Sequence, residues 1–272
     1  MTLGSKHIPA ILCAAALAVF AAQAAAQQQP AQTNETTASP GLPSTPMPKD
    51  PRTRAKAHTE LGSLYFQDGN LIVALEELTL AAAIDPDYAP ALSTRGVVLY
   101  YVKEFDSAEK DFRRALSLEE NNPDINNNYG WFLCNTNRAR ESLAYFERAY
   151  RNPLYQTPGN AYLNAGACQI KLGALNQADE ALRTSLRLMP NNTQAMYHLA
   201  DIQYKRGNYA AARKWLADAA RLGEPGPEAL WLQLRIERRL RNRDEEESLA
   251  AQLRRRFPDS PEYQALLKRN FE

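Results

Sequence analysis

Histidine and cysteine are scarce in this chain. Three of each occur in 272 residues, as His7, His58 and His198 and as Cys13, Cys134 and Cys168. A metal centre needs at least two or three such ligands brought together, and these six are scattered, so no metal site and no cofactor site is expected. A thiol nucleophile needs a neighbouring base, usually histidine, and no histidine shares a segment with Cys134 or Cys168. No glycine-rich phosphate loop, nucleophile elbow or recognisable carboxylate pair is present. Charge of one sign is also lacking: 32 Lys and Arg stand against 31 Asp and Glu. That balance argues against a nucleic-acid partner, which calls for a net basic face. Past the N-terminus no apolar run approaches the roughly 18 residues of a membrane-spanning helix, so no transmembrane helix is expected. The sequence reads as a non-catalytic protein.

What is there begins with a leader. Lys6 and His7 precede an apolar run from Ile8 to Phe20, and Ala24-Ala25-Ala26 supplies small residues for cleavage before Gln27. Residues 1–26 therefore read as a secretory signal peptide, so the mature chain is expected to be exported. Cys13 is a poor lipid acceptor, because bulky Ile11 and Leu12 precede it and the apolar run continues beyond it. The next stretch, QQQPAQTNETTASPGLPSTPMPKDP, holds six prolines and almost no large apolar residue. It cannot bury enough surface to offset its ordering entropy. Residues 27–53 are expected to form an extended, disordered tether.

From Arg54 onward the sequence is periodic. Gly62, Gly96, Gly130, Gly166, Ala200 and Leu234 recur at spacings of 34, 34, 36, 34 and 34. Three further series keep the same register: Ala74, Ala108, Ser142, Ala178 and Ala212; Leu78, Phe112, Phe146, Leu182 and Leu216; Ala81, Ala115, Ala149, Ser185 and Ala219. Prolines such as Pro86, Pro123 and Pro190 close the units. The first unit reads His58-x2-Leu61-Gly62-x2-Tyr65, then Ala74-x3-Leu78, then Pro86, which is the tetratricopeptide pattern. Each unit is a helix pair, A and B, that cannot bury its apolar face alone and so stacks on its neighbours. The fold class expected is all-α: a right-handed superhelical solenoid over 54–272 with about six repeats (55–88, 89–122, 123–156, 159–192, 193–226 and 227–260) and a C-terminal capping helix. Gly69, Gly173 and Gly207 are placed to end helix A in left-handed backbone. The acidic run Glu245–Glu247 and the basic run Arg254–Arg256 are expected on a solvated helix with i,i+4 support.

In tetratricopeptide proteins, positions 2, 5, 9, 12 and 13 of helix A line the concave groove, and the resemblance carries that rule to this chain. The stretch NNNYGWFLCN then presents Asn127, Trp131, Cys134 and Asn135 inward. The other repeats contribute Phe66 and Gln67, Tyr100 and Tyr101, Ile170 and Lys171, Tyr197, Asp201 and Tyr204, and Trp231 with Arg235 and Arg239. Aromatic, Arg and Asn side chains together suit recognition of a polypeptide, although any one aromatic can equally pack against an adjacent repeat. Two readings stand for Cys134 and Cys168: a disulfide, which an oxidising compartment permits, or two small apolar core residues.

Three stretches go beyond the generic repeat. NNYGWFLC (127–134), ALWLQLRIERRLRNRD (229–244) and LRRRFPDSPEY (253–263) resemble the PilF/PilW family of type IV pilus biogenesis proteins. The resemblance implies a pilotin: a periplasm-facing, six-repeat protein at the inner face of the outer membrane. Its partner would be a PilQ-type secretin, which it helps to localise, multimerise and remain stable, and the process served would be pilus-dependent motility or adhesion. Family members are as a rule lipoproteins, and this N-terminus departs from that pattern. The runner-up is another periplasmic repeat adaptor, for envelope assembly or cytochrome maturation. A monomer is expected.

Overall fold

The structure, a computed structural model, describes residues 50–271. The signal-peptide reading, Cys13 and the tether up to residue 49 lie outside the described residues. Helix α1 (Pro51–Gln67) begins inside the segment assigned to the tether, which corrects its boundary at residue 53. The reason is local. Pro51 occupies the first helical position, where its missing N–H costs nothing, and the Asp50 carboxylate accepts from the Thr53 amide at 2.8 Å.

Twelve further helices follow among the described residues, eleven of them completing six A and B pairs and the last standing alone. They are α2 (Leu71–Ile84), α3 (Ala89–Tyr101), α4 (Phe105–Leu118), α5 (Pro123–Asn135), α6 (Ala139–Arg151), α7 (Pro158–Lys171), α8 (Leu175–Leu188), α9 (Thr193–Lys205), α10 (Tyr209–Ala220), α11 (Pro227–Arg239), α12 (Arg243–Arg256) and α13 (Pro261–Leu267). No strand occurs among the described residues. Each A helix touches the next A helix along the chain, whereas no two successive B helices touch. The A helices are therefore the inner wall of an all-α solenoid, and the B helices splay outward.

The periodic residues hold the pairs together. Ala74, Leu78, Ala108, Phe112, Ser142, Phe146, Ala178, Leu182, Ala212 and Leu216 are all buried. A Cβ added at Gly96 would stand 2.9 Å from the Phe112 ring, and one at Gly130 would stand 2.8 Å from Phe146. The glycine lets helix B close on helix A by about the thickness of a methyl group. Where serine replaces alanine its hydroxyl is satisfied: Ser185 Oγ donates to the Gly159 carbonyl at 2.9 Å.

Every A helix stops in the same way. Gly69, Gly173 and Gly207 take left-handed backbone, and so do Lys103, Asn137 and Arg241 at the equivalent places. The next amide then reaches back to the last turn, as in Asn70 N–H to Tyr65 O at 2.8 Å and Asn242 N–H to Glu237 O at 3.0 Å. The sixth unit thus keeps the turn although it lacks the glycine. Its charge runs behave differently from expectation. Glu246 pairs with Arg238 on α11, and Arg256 pairs with Glu224, both between elements and not along α12. The nearest members of the two runs, Glu247 and Arg254, are too far apart along α12 to meet within one helical turn.

Candidate protein-binding groove

Helix A ends and begins fix which side chains face the inner wall. In the first three repeats the wall carries an aromatic ladder. Phe66 lies 5.2 Å from Tyr101 between ring centroids, and Tyr101 stacks on Trp131 at 5.7 Å with 23° between planes. Tyr100 meets Trp131 edge-on at 4.7 Å and Phe105, at the start of α4, at 5.5 Å. Burial raises the Tyr101 phenol above its ordinary pKa, yet 42% of the residue remains exposed. Phe66, Tyr100 and Trp131 are half-buried, and Gln67 is exposed beside them. Each ring supports its neighbour and keeps one face or edge toward solvent.

Beyond Trp131 the wall turns polar. Asn164 Nδ2 donates to Asn127 Oδ1 at 3.0 Å, and Lys171 Nζ donates to Asn135 Oδ1 at 2.8 Å. Asn127 is buried in this network, so it braces α5 against α7 and is not an open groove residue as read from sequence. Lys171 and Asp124 both reach solvent. The surrounding walls still thin their water, and burial lowers the Lys171 ammonium and raises the Asp124 carboxyl.

Cys134 does not face the groove openly either. It is joined to Cys168 by a disulfide between α5 and α7, with Cα atoms 5.9 Å apart, inside the usual span for such bonds. Both cysteines are buried. Ser142 Oγ lies 3.0 Å from Cys168 Sγ. His58 Nδ1 lies 2.6 Å from Glu77 Oε2, an A-to-B contact inside the first repeat. Among the described residues no group of three or more His, Cys, Asp or Glu is placed to hold a metal ion.

The C-terminal half of the wall is more enclosed. Burial pushes the Tyr197 phenol up to about 12, helped by Asp201, and pushes His198 down to about 4. Tyr204 packs beneath the Arg235 guanidinium, 4.6 Å from ring centroid to the central carbon. Arg239 is exposed, and the neighbouring Tyr204 phenol raises its pKa. Ile170 is half-buried in the α7–α9 core. Trp231, expected in the open groove, is buried, because Phe271 stacks on it at 5.5 Å. A sequence pattern ending at the capping helix holds no sign of that return.

A second surface escaped sequence reasoning. On the first B helix, Leu71, Ile72, Leu75, Leu80 and Ala83 with Val102 line an apolar trough of about 630 Å³. Ile72 is 73% exposed and Leu80 44%. The signal was available in LIVALEELTLAAAI, which is apolar around most of its circumference although one face suffices to pack on α1.

Comparison with known proteins agrees with this architecture. Tetratricopeptide-repeat family models match residues 89–122 and 169–235. The type IV pilus assembly protein PilF of Pseudomonas aeruginosa is 32% identical over 208 residues, covering 76% of this chain and 82% of that protein. A crystal structure of PilW, described as a widely conserved type IV pilus biogenesis factor, superposes with a TM-score of 0.70 at 33% identity, over 78% of this chain and 98% of that one. A structure of Pseudomonas aeruginosa PilF superposes at 0.67 with 31% identity, over 81% and 100% of the two chains. The Cut9–Hcn1 structure shares only the fold, at 16% identity over 82% of this chain and 44% of that one, with a TM-score of 0.71. With its six helix pairs, its aromatic inner wall and these relatives, the chain belongs to the PilF/PilW family of tetratricopeptide-repeat proteins of type IV pilus biogenesis.

Proposed function

We propose that this protein is a non-catalytic periplasmic pilotin that binds subunits of a type IV pilus secretin and promotes their outer-membrane localisation, multimerisation or stability. The observation that carries the reading is the ladder of Phe66, Tyr101 and Trp131, aromatic faces aligned across three repeats with part of their surface open. Such area, offered by rigid side chains on rigid helices, is what a polypeptide partner uses as anchor points. The Asn135–Lys171 pair continues the strip with donors and a cation for a partner's main chain or acidic groups. The apolar trough on α2 adds a second contact face of the kind that marks protein interaction sites. Export by the signal peptide places these surfaces on the side of the membrane where secretin subunits travel. No helix among the described residues is long and apolar enough to cross a membrane.

The test is the amount of heat- and detergent-resistant secretin multimer in outer-membrane fractions. Deleting the gene is expected to abolish the multimer or collapse it to monomer, and re-expression is expected to restore it. Restoration by a Tyr101→Ala, Trp131→Ala double variant at full level would remove the groove from the reading. Normal multimer in the deletion strain would overturn the pilotin reading itself.

A further inference from the structure

The last A-type helix, α13, runs only from Pro261 to Leu267. It ends as every earlier A helix ends. Arg269 takes left-handed backbone at φ 53°, and the Asn270 amide donates to the Ala265 carbonyl at 2.9 Å. In the six repeats this turn launches a B helix. Here the helix is too short to place the turn at the rim of the solenoid, and the chain enters the groove instead.

Phe271 is received there by three residues of α11. Its ring stacks on Trp231 at 5.5 Å with 21° between planes. The Arg238 guanidinium carbon sits 3.9 Å from the centre of the same ring. Arg235 Nε donates to the Phe271 carbonyl at 3.1 Å. Trp231, Arg235 and Arg238 stand at positions 5, 9 and 12 of the sixth repeat, the same positions that bear Asn127, Trp131 and Cys134 in the third. One aromatic ring held between an indole and a guanidinium, together with one main-chain carbonyl on a charged donor, is the contact an extended polypeptide would make. The chain's own Phe271 makes it.

We propose that the segment Lys268–Phe271 is a placeholder, and that Trp231, Arg235 and Arg238 form a binding site for an extended partner segment bearing an aromatic residue. Its covalent attachment to α13 gives the tail a high local concentration, so the site is closed to weak ligands and opens to one that competes at more points. This inference does not depend on which protein the groove serves, and its test uses no secretin.

The probe is a fluorescein-labelled peptide of residues 266–271, amidated so that no terminal carboxylate meets the arginines. It is titrated by anisotropy onto the unaltered chain and onto Phe271→Ala. The variant is expected to bind about tenfold more tightly, since the competitor is removed, and adding Arg235→Ala to it is expected to abolish the gain. Equal binding by the two proteins overturns the proposal, as does a gain that survives Arg235→Ala. Circular dichroism confirms that each variant is folded. A second measurement needs no variant. Millimolar peptide added to the 15N-labelled unaltered chain is expected to move the Phe271 amide resonance toward its position in a free tail, and an unmoved resonance overturns the proposal. A tail exchanged between two copies would appear as a dimer on size exclusion and would equally overturn the intramolecular contact.

Discussion

Tyr101 and Trp131 stack across the boundary between the second and third repeats, with centroids 5.7 Å apart and planes within 23°. Neither ring is needed to close a helix pair, since the pairs close on Phe112 and Phe146 behind them. Trp131→Ala and Tyr101→Ala are therefore expected to leave the fold intact. Each should cost a bound partner segment about 2 kcal/mol if it is an anchor. Measured binding to purified secretin subunits, with thermal unfolding as control, separates the two effects. A loss of binding that merely tracked a loss of folded protein would refute the anchor assignment.

The glycines of the repeat divide into two kinds, and substitution should tell them apart. At Gly130 an added methyl meets the Phe146 ring at 2.8 Å, so Gly130→Ala should cost about 1–3 kcal/mol through overpacking. At Gly69 nothing lies within 4 Å, but φ is +78°, so Gly69→Ala should cost about 1–2 kcal/mol through backbone strain alone. Adding Phe146→Leu is expected to relieve part of the first penalty. It should leave the second unchanged in a denaturant series.

The disulfide between Cys134 and Cys168 closes a loop with a sequence separation of 34. In the loop-entropy view such a closure is worth about 3–4 kcal/mol. The Cys134→Ala, Cys168→Ala variant should unfold at lower temperature than the oxidised protein. Reductant should lower the Tm of the parent and not that of the variant. An identical Tm with and without reductant in the parent would mean that the bond contributes nothing.

His198 gives a pH dependence with a definite sign. Burial holds its imidazole down at about 4, against an unfolded value of 6.5, while Asp201 pulls upward and Lys205 and Lys171 push downward. The unfolded chain binds the proton more readily, so the neutral-ring stability is fully present above pH 6.5 and is lost as pH falls toward 4. Between pH 7 and 5 the loss should be about 2 kcal/mol. His198→Gln is expected to flatten that part of the stability curve, and an unchanged slope would exclude the residue as its source.

Much of this fold was legible because each repeat states the same packing problem. A small residue at Gly62, Gly96 or Gly130 faces a large one at Leu78, Phe112 or Phe146, and the spacing reveals the pair without coordinates. The helix stops at Lys103, Asn137 and Arg241 were less visible, since only the turn's hydrogen bond, and no glycine, marks them. The groove was half legible. Repeat register put Tyr101 and Trp131 at neighbouring helix-A positions, and the two rings stack there. It could not say that Asn127 would be consumed by Asn164, or that Trp231 would lie under Phe271. Those outcomes depend on contacts between repeats and on the path of a tail, and neither is periodic.

The inner helices touch from repeat to repeat while the outer ones do not, so the molecule is built like a hand fan, hinged along one edge and free along the other. A fan widens or narrows by small rotations shared among its ribs. Among the described residues the covalent stitch is Cys134 to Cys168, on the hinged edge between the third and fourth ribs. It fixes the third and fourth ribs to one another by a bond, where the spread between other neighbouring ribs rests on non-covalent packing alone.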